Sequence, residues 1–123
     1  MYTDIPHVMI DLETMGTSCI AAPMSIGAVV FTMQGEILER YHVGVELKSC
    51  VGIGMELDVD TVEWWMKQSK ENQNRVMELK KKPIAHALGQ MEDVFRHRDL
   101  NKYMTCVWSH GSNFDTVILT NAY

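Results

Sequence analysis

The chain has 123 residues and a mass of 14.1 kDa, one domain's length and enough to bury a core. Its 46% hydrophobic and 22% charged residues are ordinary globular values, and a net charge of −5 excludes a polycation that coats nucleic acid indiscriminately. No apolar run reaches the ~18 residues of a membrane span, and Met1-Tyr2-Thr3-Asp4 lacks the layout of a signal peptide, so no membrane partner and a cytoplasmic location are expected.

Residues 7–12 (HVMIDL) form a short, nearly continuous apolar run, the pattern of a strand buried on both faces. Residues 24–33 (MSIGAVVFTM) predict a second strand, Gln34-Gly35 a turn, and residues 36–47 a third strand, so 24–47 reads as a hairpin. Residues 51–54 are a glycine-containing loop. Asp60-Thr61-Val62-Glu63 has the layout of a capping box, with Asp60 as N-cap. Val62, Trp65, Met66, Ser69, Val76 and Met77 then share a helical face. Residues 80–83 break that pattern, and Pro83 suits the first turn of a second helix with Ile84, Leu88, Met91, Val94 and Phe95 inward. Residues 105–109 predict a fourth strand, and residues 114–123 the start of a last helix with Phe114, Val117, Ile118 and Ala122 inward. The order β-β-β-α-α-β-α points to an α/β layered domain.

Asp11-Leu12-Glu13-Thr14 is the most informative tetrapeptide. Side chains two apart on a strand share a face, so Asp11 and Glu13 project together from a strand end. Paired carboxylates repel, and burying them uncompensated is costly; a divalent cation resolves both difficulties. Met15-Gly16 lets the backbone turn and approach a ligand. Taken alone, the D-x-E pattern is explained as readily by a solvated strand end. In the second informative stretch, 108–115 (WSHGSNFD), a strand runs through a polar turn into a helix, and Asp115 sits in the first turn, where negative charge is favoured.

Together, 11–31 (DLETMGTSCIAAPMSIGAVVF) and 108–123 (WSHGSNFDTVILTNAY) resemble the first two motifs of the DEDD-type 3′→5′ exonucleases, of the RNase H-like, proofreading-exonuclease superfamily. Residues 59–69 (VDTVEWWMKQS) look like the segment such proteins place after their third strand, and the likeness is nearest to the small phage and bacterial exonucleases. The resemblance implies an RNase H-like mixed sheet, three antiparallel strands plus a parallel one, with helices packed on it. It implies that Asp11, Glu13 and Asp115 are three of four acidic residues holding two Mg²⁺ (or Mn²⁺) ions. One ion would activate water and the other would stabilise the leaving 3′-oxygen. It further implies that Thr14, Met15 and Gly16 contact the terminal nucleotide of a single-stranded or 3′-ended DNA or RNA, and that Asn113 and Phe114 line its pocket. The family's last motif carries a histidine and a fourth aspartate; eight residues follow Asp115 and none is either. The chain therefore reads as a single exonuclease domain, 1–123, incomplete at its C-terminus, with the fifth strand and closing helix missing. A non-catalytic module binding nucleic acid or a partner is the alternative, and a homodimer stays open.

The remaining residues have structural readings. Cys19, Cys50 and Cys106 show no CxxC spacing, and buried free thiols are expected. The ten methionines read as core filler. Trp65 is assigned to the core and Trp64 to an exposed stacking or interface role. The clusters at 80–82 and 96–98 read as solvated helix ends, and no role falls to His7, His42, His86 or His97.

Overall fold

A computed structural model describes residues 6–97, 106–109, 118, 119 and 122. Strand β1 covers His7–Thr14, β2 Pro23–Phe31 and β3 Ile37–Val45. All three fall on the stretches that the sequence predicted as strands. The turn after β2 closes through Gly35 N–H donating to the Thr32 carbonyl and Thr32 N–H to that of Glu36. Gly35 sits there at φ +92°, a conformation that penalises any side chain. Residues of β1 and β2 pair antiparallel from His7–Phe31 to Thr14–Pro23, and β2 and β3 from Ser25–Gly44 to Phe31–Ile37.

Two further strands complete the described sheet, in the order β4-β3-β2-β1-β5. The two-residue β4, Lys81–Lys82, pairs parallel with β3, and β5, Cys106–Ser109, pairs parallel with β1. Part of the cluster at 80–82 thus belongs to the sheet rather than to a solvated helix end. Gly44 permits the approach: a Cβ there would lie 3.0–3.3 Å from Lys81 and Leu79 atoms.

The helices depart from expectation in detail. Leu47–Gly52 is a short helix, α1, running into what the glycines suggested was loop. The long helix after residue 60 is two helices, α2 (Val59–Met66) and α3 (Lys70–Met77). The N-cap of α2 is Asp58, not Asp60: Thr61 donates to the Asp58 carboxylate from its N–H at 3.1 Å and its hydroxyl at 2.8 Å. Ser69 caps α3 by accepting from Asn72 N–H, while the Gln73 amide donates to the carbonyls of Trp65, Met66 and Gln68, ending α2. Helix α4, Ile84–His97, starts immediately after Pro83 as expected. Its first N–H is taken by Ser49 Oγ of α1 at 2.9 Å, satisfying a donor that has no partner within the helix.

The core lies on one face of the sheet. Val8, Ile10 and Leu12 of β1, with Ile26, Ala28 and Val30 of β2 and Val43 of β3, pack with Cys50 of α1, Ile84, Leu88 and Met91 of α4, and Ile118 and Leu119. Tyr41 ties β3 to this layer by donating its hydroxyl to the Ala87 carbonyl at 2.7 Å. The other face is open: Met9 is 42% exposed and Asp11 is exposed. The expectation that the first strand is buried on both faces is thus corrected; alternation, rather than a continuous apolar run, governs β1. Two expectations about soft residues also change. Cys50 is buried but Cys19 and Cys106 are exposed, and Met33, Met66 and Met77 are exposed while Met24, Met55 and Met91 serve the core. Among the described residues no helix is long and apolar enough to cross a membrane.

Candidate active site at the end of the first strand

Asp11 and Glu13 lie on the open face, as their two-residue spacing requires. Asp11 is exposed and Glu13 half-buried. They supply hard oxygen donors side by side, the chemistry that suits Mg²⁺ or Mn²⁺. Among the described residues no His, Cys, Asp or Glu joins them in a cluster of three able to hold a metal ion. Asp115, Asn113 and Phe114, together with His110, lie outside the described residues.

The turn after Glu13 is held tightly. Thr14 Oγ1 donates to the Gly16 carbonyl at 2.8 Å, and Met15 N–H to the Ala22 carbonyl at 2.9 Å. In return the Met15 carbonyl accepts from Asp58 N–H at 2.7 Å, and that of Thr14 from the Trp65 indole at 3.0 Å. The strand end is therefore stitched to the N-terminus of α2. Gly16 serves here through its missing side chain, not a special backbone angle: an added Cβ would sit 3.0 Å from Ala21 Cβ and 3.5 Å from Asp58 Cβ. Trp65 is half-buried, its ring packed edge-on against that of Trp64 at 5.0 Å, and Trp64 is 55% exposed. Met15, Val62, Trp65, Met66, Val76 and Met77 line an apolar groove of about 240 Å³ beside this turn.

Strand β5 brings a second segment to the same end of the sheet. It runs parallel to β1 with Ser109 opposite Ile10, so its C-terminal end lies level with the start of the carboxylate pair. At the other end His7 fixes the pairing. Trp108 Nε1 donates to His7 Nδ1 at 3.2 Å, and the buried imidazole stacks on Phe31 at 5.6 Å. Sequence reasoning gave His7 no role; its contact is cross-strand and has no signature in spacing.

The open face holds further polar residues that spacing alone did not single out. Asp11 pairs with Gly27, which pairs with His42; Glu13 pairs with Ser25. These side chains, with Arg75, Val76 and Leu79, surround a cavity of about 160 Å³. The hairpin register, fixed by the turn at Gly35, was the signal that could have placed His42 in the same row as Asp11.

The profile of the 3′-5′ exoribonuclease Rv2179c-like domain matches residues 6–123, the carboxylate pair and its turn included. The chain belongs to that family. An exodeoxyribonuclease of Enterobacteria phage T4 is 24% identical over 122 residues, covering 92% of this chain and 53% of that protein. The chain thus spans about half the length of this curated relative. No solved structure matches significantly.

Proposed function

We propose that the chain is a 3′→5′ exonuclease of RNase H-like fold, hydrolysing the terminal phosphodiester of DNA or RNA with divalent metal held by Asp11, Glu13 and Asp115. The observation that carries this reading is the Asp11–Glu13 pair, projecting together from the open face at the end of β1 in a member of an exoribonuclease family. The strand order β3-β2-β1-β5, antiparallel and then parallel, supports the RNase H-like assignment. It also favours a site at the carboxyl ends of β1 and β5, where α/β sheets gather ligands.

The chain's own residues have distinct tasks in this reading. Asp11 and Glu13 would hold a divalent cation at the strand end; bound there, it would lower the pKa of water and offset charge on the phosphoryl oxygens. Thr14, Met15 and Gly16, immobilised against α2 by their hydrogen bonds, position the terminal nucleotide. The apolar groove between Met15 and Trp65 accepts its base, and exposed Trp64 offers an aromatic face to a neighbouring one. Asn113 and Phe114 complete the nucleotide pocket.

The test is degradation of a 5′-labelled oligonucleotide with Mg²⁺, with EDTA, and by Asp11→Ala/Glu13→Ala. Shortening from the 3′ end that EDTA and the double variant both abolish is the expected result. Cation-dependent strand binding without cleavage would instead make the chain a binding module, and undiminished cleavage by the double variant would remove the carboxylates from the mechanism.

A further inference from the structure

The cavity on the open face brings carboxylates, an imidazole and a guanidinium together: Asp11 and Glu13 of β1, His42 of β3 and Arg75 of α3 all line it. Gly27 lies between them in the row Asp11–Gly27–His42. A Cβ there would lie 3.6 Å from the Asp11 backbone oxygen and 3.9 Å from His42 Cδ2, in ordinary contact with both. Ser25, only 2% exposed, adds a hydroxyl, and Val76 and Leu79 supply apolar lining.

Arg75 is available for a ligand. Its contact with Glu71 is 4.0 Å long between side chains that are 73% and 86% exposed, a pairing that contributes little. A guanidinium stays charged at every accessible pH and its fork matches a phosphate. A guanidinium beside a carboxylate pair would neutralise it if it turned inward. It gains a separate purpose when the carboxylates already hold a metal, because the ligand then reaches both. A strand whose scissile phosphate sits at the metal carries its next phosphate one nucleotide away, and that group needs positive or hydrogen-bonding partners.

We propose that this cavity seats the phosphate next to the scissile one, with Arg75 as its principal cation and His42 as a hydrogen-bonding partner. The assignment rests on the reading of Asp11 and Glu13 as the metal site. Phosphate is common to DNA and RNA, so these two residues would position either strand without distinguishing them.

The test is equilibrium binding of a 5′-fluorescent octanucleotide, as DNA and as RNA, to the intact chain in Ca²⁺ over a range of salt. Arg75→Gln is expected to weaken binding roughly fivefold and to make the salt dependence shallower by about 0.7, the loss of one phosphate contact on a single strand. Arg75→Lys should keep the slope. His42→Gln, which retains a donor, should weaken binding less than His42→Ala. Lys48→Gln removes the same charge from an exposed position on α1 and should change neither quantity. Binding by Arg75→Gln equal to wild type would overturn the proposal, as would a loss confined to RNA, which would mean contact with the ribose. Asp11→Ala/Glu13→Ala separates the two claims. If that variant binds like wild type while Arg75→Gln remains weak, the metal reading fails and the phosphate contact stands; no binding by wild type overturns both.

Discussion

The two faces of the sheet follow opposite rules although the same strand builds both. On the closed face, Val8, Ile10 and Leu12 disappear beneath α1, α4 and Ile118. On the open face, Met9 and Asp11 meet solvent and Glu13 is only half covered. One face contributes stability and the other displays chemistry. The contrast shows how the sheet places a repelling carboxylate pair without burying it fully: the cost of desolvating charge is limited because Asp11 is exposed and Glu13 half-buried, while the strand is held from the other side and by its neighbours.

The sharpest way to break this division is to attack each face and measure stability and activity separately. Ile26→Ala, a fully buried site on the closed face, should destabilise by about 2–5 kcal/mol in urea titration, and lose activity only through unfolding. A similar loss from His42→Ala would contradict the division. Burial pushes the Cys50 thiol up to about 11 from an ordinary 9.0. Its folded-state pKa is raised, so its contribution is intact below pH 9 and is lost as pH rises from 9 to 11. The loss should reach about 2–3 kcal/mol and vanish in Cys50→Ala when that variant is compared across the same range. Asp58→Ala removes the acceptor for Thr61 and should cost about 1 kcal/mol. The smallest effect belongs to the open face: Gly27→Ala meets only ordinary contacts and should stabilise by roughly 0.5–1 kcal/mol, readable as a small rise in Tm.

Much of the closed face was legible in the sequence because apolar runs and turn chemistry agreed there. Gly35 ended β2, β3 followed, and the apolar spacing of 84–95 found the buried stripe of α4. The break between α2 and α3 was not legible, since Lys67-Gln68-Ser69 contains neither glycine nor proline; the stop is made by side chains, Gln73 folding back and Ser69 capping forward. Asp58 precedes α2 while Asp60 lies in its first turn, and only the hydrogen bonds from Thr61 mark Asp58 as the cap. Met66 and Met77 fitted a helical apolar face but flank an open groove, where spacing cannot say whether anything covers them. Asp11 and Glu13 were readable because they lie on one strand. His42 and Arg75 were not, because they reach the same cavity from two other elements.

The central claim is that the open-face carboxylates act together through a divalent cation. Its most direct measurement is the rate of 3′-end shortening by wild type and Asp11→Ala/Glu13→Ala across a Mg²⁺ titration, with urea unfolding of both proteins alongside. Metal-dependent shortening is expected to fall by at least about 10³-fold in the variant, with stability unchanged because neither side chain belongs to the core. Metal-dependent cleavage at the wild-type rate by the folded double variant would contradict it.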